Sequence, residues 1–241
     1  MKIRIINLLE EKCASNDEYI AYVAAQGLRS EILDAKNEII DFSFLKKHIQ
    51  NWPLPQYYET KIEFEKTFRY FQGEDRGSIN SLKLEIPHNN PIDFAFLETK
   101  KNQSNTYTFK TNKGNFKMEF NYDQAPGTAI YIAKLIEEGF YNGKKFHRVI
   151  PNFVAQGGCP RGDGVGSTDK SLRSEFTYLE YEEGSVGMAS AGRDTESCQF
   201  FITHHDVPHL NGRYTIFAKV VEGMDVVHKL TVGDTINEIV W

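Results

Sequence analysis

Hydrophobic residues recur along this chain with two different periods, and the change of period divides it. Through the first hundred residues the spacing is helical. Residues 3–13 and 17–28 read as helices. Ser15 or Asn16 is the expected cap of the second, with Asp17 and Glu18 in its first turn, where carboxylates suit the helix dipole. Ile20, Val23 and Ala24 fall on one face of that helix. Residues 31–49 read as a third helix, stopped before NWPLP. The stretch IDFSFLK (40–46) has an echo in IDFAFLE (92–98), identical at five of seven positions. A degenerate repeat of helical hairpins produces such an echo, and so does coincidence within a common amphipathic pattern. ETKKNQSN (98–105) is polar and reads as a linker. The pattern therefore predicts a small helical region over 1–103 and a second domain over 104–241.

In the second domain the period drops to two. TYTFK (106–110) puts Tyr107 and Phe109 on one side, and NFKMEF (115–120) puts Phe116, Met118 and Phe120 on one side. With TNKG as the turn between them, the pair is a β-hairpin. An amphipathic helix follows: Ala129, Ile132, Ala133 and Ile136 stand at i, i+3, i+4 and i+7, Thr128 is the cap and Gly139 the stop. Short strands punctuated by glycine run on to YTIFAKVVEG (214–223), then a short helix over 224–230 and a last strand in TINEIVW. Many short strands with two helices predict a mainly β domain, a closed antiparallel barrel whose ends the helices cover.

Composition narrows the function classes. The chain has 241 residues and a net charge of −5, so its bulk electrostatics point to neither nucleic acid nor an anionic membrane surface. No run of apolar residues is long enough for a transmembrane helix. The first twenty residues meet Glu10, Glu11 and Lys12 too early for a signal-peptide core. Cys13, Cys159 and Cys198 are far apart and odd in number, which favours a reducing, cytoplasmic setting, with export open if Met1 is not the native start.

Several stretches invite a chemical reading that their spacing does not support. HHDVPH brings His204, His205, Asp206 and His209 into six residues, yet adjacent histidines on an extended chain point to opposite sides and a proline breaks the run. No metal is expected. Cys198 lies close in sequence to those histidines, but ESCQFFITHH reads as a strand entering the core, where a cysteine acts as a small hydrophobe. GGCPRGDGVGS (157–167) is glycine-rich like a phosphate loop but lacks the Lys-Ser/Thr and the following helix, so it reads as a tight loop.

One stretch is different. In GKKFHRVIPNFVAQGG an arginine and a glutamine sit among apolar residues without a nucleophile or a carboxylate. Alternation puts Arg148 on the strand face of Phe146, Phe153 with Ala155 and Gly157, and Val154 with Gln156. Taken with GSVGMASAGRDTESCQFFIT (184–203) and PHLNGRYTIFAKV (208–220), this stretch closely resembles the cyclophilin family of peptidyl-prolyl cis-trans isomerases, over roughly residues 105–241 and with bacterial-type features.

The resemblance implies an eight-stranded closed barrel with two helices and a substrate groove on its outside. It implies that Arg148 is the catalytic arginine, that Phe153 and Val154 line the groove, and that Gln156 touches the substrate backbone. Ala189 and Ser190 match the segment that pairs with the peptide; Gln199, Phe201 and Leu210 match the pocket. His209 stands where many eukaryotic members have Trp, and Tyr214 where they have His. The implied partners are proline-containing peptides and unfolded proteins, without cofactor, nucleic acid or membrane, and with cyclosporin binding weakened by those two departures. A reading from another class is a proline-peptide binding module with little turnover.

Overall fold

The computed structural model describes residues 1–39, 41–86 and 92–241. The chain falls into two compact units, Met1–Pro87 and His88–Trp241.

The first unit contains α1 (Lys2–Cys13), α2 (Glu18–Gly27), α3 (Ser43–Ile49), α4 (Tyr58–Gln72) and α5 (Arg76–Asn80). Asp17, not Ser15 or Asn16, caps α2, its side chain accepting from the Ile20 N–H at 3.1 Å. The buried stripe of α2 is Ala21, Ala24 and Ala25, continued by Leu28, while Ile20 and Val23 are 44% and 41% exposed. The expected face is thus wrong by a small rotation. Three alanines let α4 approach closely enough for Thr67 Oγ1 to donate to the Ala25 carbonyl at 2.7 Å. The third helix is interrupted: Asp34 takes φ +49°, a 3-10 turn covers Ala35–Asn37, and α3 starts only at Ser43. Ile40, inside that expected helix and the first residue of the echo, lies outside the described residues.

The second unit begins with α6 (Phe94–Lys101), so the polar stretch 98–105 is helical over its first half. Asp93 caps α6 through the Phe96 N–H at 3.0 Å, and Leu97 packs in the core of this unit. Strands β1 (Thr106–Thr111) and β2 (Gly114–Phe120) form the expected hairpin, closing at Thr111 opposite Gly114. Helix α7 (Pro126–Glu137) has proline at its first position. Its free N–H groups at Gly127 and Thr128 are met at 2.9 and 2.7 Å by the Glu175 carboxylate, not by the Thr128 hydroxyl. There follow β3 (Phe146–Ile150), β4 (Val154–Gly157), β5 (Ser185–Met188), β6 (Phe200–Thr203), β7 (Ile216–Glu222), the single turn α8 (Met224–Val227) and β8 (Ile236–Val240).

The eight strands form one antiparallel sheet in the order β3-β4-β6-β5-β7-β2-β1-β8, curled around Tyr107, Phe109, Phe116, Phe120, Phe146 and Phe200. The expected closed barrel is not completed: β3 and β8 are edges, joined by the isolated Lys145–Thr235 bridge and by backbone bonds of the turns leading into them. Gly143 (φ +75°) and Gly233 (φ +97°) turn both chains at this seam. Beyond Phe146, β3 is therefore ladder-paired on its β4 side alone. Among the described residues no helix is long and apolar enough to cross a membrane.

Candidate active site

Direct cross-strand pairs line up one row of residues across five strands. Arg148 on β3 faces Gln156 on β4, Gln156 faces Phe201 on β6, Phe201 faces Gly187 on β5, and Gly187 faces Ile216 on β7. Directly opposed residues share a face of a sheet. This row lies on the outside, because Ala155 and Phe200, the sequence neighbours of Gln156 and Phe201, are in the inner core.

Arg148 reaches that face through a bulge. Phe146 pairs with Gly157 while Arg148 pairs with Gln156, so β3 carries one extra residue, His147, and its alternation slips by one. Phe146 points into the core and is fully buried, and Arg148 is exposed on the outside. The expectation that the two share a face is corrected by this bulge. His147 is half-buried with both ring nitrogens unbonded. Burial holds its imidazole below the usual histidine range, the Asp163 carboxylate opposes this, and the Arg148 charge adds to it.

Phe153 also departs from the simple alternation. It lies in the turn before β4, after Asn152 at φ +56°, and its N–H donates to the Ile150 carbonyl at 3.1 Å. Phe153 and Val154 consequently pack in one outer cluster, while Ala155 stays inside. In that cluster Phe201 stacks on Tyr181 with ring centroids 5.5 Å apart and meets Tyr214 edge-on at 5.7 Å. Leu210 is buried beside them, and Ala189 and Tyr214 are half-buried. His209 is exposed and stacks on Phe153 at 5.7 Å, and the Arg148 guanidinium lies 5.9 Å from the same ring. Ala189 and Ser190 follow β5 directly, and the Ala189 N–H donates to the Gln199 carbonyl at 2.9 Å.

A chain of amides fixes the polar side of this groove. Gln199 Nε2 donates to the carbonyls of Gly164 and Gly166, both at 2.8 Å. Carbonyls only accept, so the amide nitrogen of Gln199 must face them and its Oε1 must face away. That Oε1 accepts from Gln156 Nε2 at 3.1 Å, which leaves Gln156 Oε1 to accept from Arg148 Nη1 at 3.3 Å. Two backbone carbonyls thus set the orientation of both glutamines and steady the arginine. Gln156 Nε2 has two hydrogens and spends one here, so one donor remains for a ligand carbonyl.

The sequence-predicted residues Arg148, Phe153, Val154, Gln156, Gln199, Phe201, His209, Leu210 and Tyr214 come together in this groove. Tyr181 and the carbonyls of Gly164 and Gly166 were not foreseen. A signal for Tyr181 existed in Gly187, a lone glycine within a strand: a Cβ there would stand 2.1 Å from the Tyr181 hydroxyl. The glycine-rich loop, read as a bare surface turn, supplies the two carbonyls. The histidines of HHDVPH separate: His204 is buried 5.3 Å from His228, His205 is exposed, and His209 joins the groove. Cys198 is fully buried, and burial pushes its thiol up to about 12.

Beside the groove, Glu196 is 1% exposed and accepts from Thr215 Oγ1 and Ser174 Oγ, both at 3.0 Å. Burial raises its carboxyl to about 7, against those two hydroxyls and with help from the Asp194 charge. The folded chain therefore holds this proton more tightly than the unfolded chain. The associated stability is present below the ordinary value of 4.5 and is lost as the pH rises through 7. The loss amounts to about 3 kcal/mol. Urea unfolding between pH 4.5 and 8 should show it in the wild type and not in Glu196→Gln; parallel pH profiles would refute it.

The chain matches the family model described as "Cyclophilin type peptidyl-prolyl cis-trans isomerase/CLD" over residues 106–240. It is 46% identical over 138 residues to a peptidyl-prolyl cis-trans isomerase of Helicobacter pylori, covering 56% of this chain and 85% of that one. It is 45% identical over 127 residues to peptidyl-prolyl cis-trans isomerase B of Bacillus subtilis, covering 51% and 89%. Among solved structures it resembles a Cryptosporidium parvum cyclophilin type isomerase crystallised in the presence of the dipeptide Ala-Pro, with TM-score 0.53, 31% identity, and 56% and 97% of the two chains covered.

Proposed function

The chain belongs to the cyclophilin type of peptidyl-prolyl cis-trans isomerases, and from that premise we propose that its groove turns Xaa–Pro bonds by aiming Arg148 at the prolyl nitrogen. Rotation about the bond faces a barrier of about 18–20 kcal/mol from amide resonance. A millionfold acceleration requires about 8 kcal/mol off that barrier. No bond breaks, so no nucleophile is needed. At the twisted transition state the nitrogen becomes pyramidal and regains its lone pair. A donor aimed at that lone pair favours the transition state over either planar ground state.

The observation that carries this reading is the chain Gln199–Gln156–Arg148 beside an apolar cluster on the outer face of the sheet. Arg148 supplies the donor. Phe153, Val154, Phe201, Leu210 and Tyr214 hold the proline ring, and the unspent N–H of Gln156 holds the carbonyl before proline. One side of the bond is then fixed while the other turns. The backbone at Ala189 and Ser190 pairs with the extended peptide, a strand-addition mode. This mechanism uses no metal or cofactor. Its substrates are proline-containing peptides and unfolded proteins, and its role is to assist folding. His209 and Tyr214 alter the groove's rim, so cyclosporin binds weakly. The three cysteines are free and buried, which supports a reducing, cytoplasmic setting. The first unit, Met1–Pro87, acts as a helical appendage; α6, within the expected 1–103 region, belongs instead to the β unit, where Leu97 is buried.

Exchange NMR on an Ala-Pro peptide tests the activity against the binding-module alternative. Cis/trans exchange that quickens with enzyme concentration is expected; saturable binding without faster exchange would refute it. Gln199→Leu should lower kcat about tenfold, because it frees Gln156 to turn away from Arg148 while the arginine remains. An unchanged kcat would remove Gln199 from this scheme.

A further inference from the structure

A concavity opens on the outer face of the same sheet, over β2, β7 and β5, with a volume of about 700 Å³. That is the size of a pocket holding a ligand or several side chains. It adjoins the apolar cluster that holds Phe153 and Phe201. The row of paired residues through Gln156 and Phe201 ends at Ile216, and Ile216 lines the cavity. Leu179 lines it too, and both pack in the groove's apolar cluster with Tyr181.

Its charge is lopsided. Glu119, Asp123, Glu180 and Glu182 line it against Lys101 and Lys219. Lys101 pairs with Asp123, and Lys219 with Glu182, so among the described residues Glu119 and Glu180 are left without a cation. Val221, 47% exposed at the same cavity, offers apolar surface to the stem of a long side chain.

We propose that this cavity binds a Lys or Arg side chain of the polypeptide whose proline occupies the groove, so that the enzyme prefers prolines with a basic residue nearby in sequence. This rests on the isomerase reading of the groove. From Phe201 to Ile216 is two strand spacings and from Arg148 four, about 10 and 19 Å. An extended chain covers those spans in roughly three to six residues.

The test uses twelve-residue Ala-Pro peptides with Lys or Glu placed three to six positions to either side of the proline, and an Ala-Pro tetrapeptide as reference. At the favoured position Lys should lower KM about three- to tenfold relative to Glu, with kcat unchanged. The double variant Glu119→Lys/Glu180→Lys should reverse that preference and keep wild-type turnover of the tetrapeptide. Equal KM values for Lys and Glu peptides at every position would overturn the proposal, as would a preference untouched by the double variant. So would a proline-free Lys peptide that shifts the Ile216 and Val221 amide signals as strongly as the Ala-Pro peptide, since the cavity would then bind independently of the groove. Failure of the wild type to turn over the tetrapeptide is a separate outcome: it defeats the isomerase reading on which the proposal stands.

Discussion

Arg148→Ala should lower kcat about a hundredfold or more while KM stays within a factor of three. A hydrogen bond from a charged donor is worth about 1.5–3 kcal/mol, and removing a donor aimed at charge that develops in the transition state costs roughly 10²–10³ in rate. The interaction exists with the pyramidal nitrogen and not with the planar one, so the loss belongs in kcat. The fold should be unaffected. Arg148 is exposed on an edge strand, and its recorded side-chain partners are Gln156 and the Phe153 ring. Surface changes of this kind move stability by about 0.5 kcal/mol or less. Arg148→Lys should restore little, because a point charge on a flexible stem cannot reproduce a planar donor held by Gln156. Steady-state kinetics with a thermal melt of each variant checks all three expectations.

Phe201→Ala should show the opposite signature. Phe201 is 6% exposed, stacks on Tyr181 and meets Tyr214 edge-on, so it is both a core side chain and the floor of the groove. Removing a buried phenylalanine costs about 3–5 kcal/mol, or roughly 10 °C in the unfolding midpoint of the second unit. On the proposed reading the proline ring loses an apolar contact, so KM should rise about tenfold or more. Arg148 keeps its place through Gln156, so kcat at saturation should fall far less than in Arg148→Ala. Kinetics at 10 °C, where the variant remains folded, separate the two effects. A kcat loss equal to that of Arg148→Ala would mean that the apolar wall carries as much of the catalysis as the donor.

The two signatures also show what the amino-acid pattern can reveal. The hairpin of β1 and β2 was legible to within one residue at each inner end, because alternation and a turn signal specify the same register. The groove's members were legible from motifs resembling a family, and alternation placed Val154 and Gln156 on one face, but the faces of Arg148 and Phe153 were not legible. A single extra residue at His147 decides that Arg148 looks outward, and alternation alone cannot show a bulge. Helix caps failed for a related reason: α7 is capped by Glu175, which stands 47 residues beyond Thr128 in the chain and arrives only through tertiary folding. Gln199 orients Gln156 because two loop carbonyls meet it, and no residue type encodes a carbonyl's position. In α2 the alanines, not the larger Ile20 and Val23, face the core, since close approach of α4 outweighed hydrophobicity.

The central claim is that Arg148 assists rotation of the prolyl bond without itself supplying much of the binding. Exchange spectroscopy on one Ala-Pro peptide, saturating with either wild type or Arg148→Ala, tests it most directly, because it reads rotation on the bound peptide. Fast cis/trans exchange with the wild type and near-uncatalysed exchange with an equally occupied Arg148→Ala is the predicted result. Equal exchange rates for the two proteins at equal occupancy would contradict it.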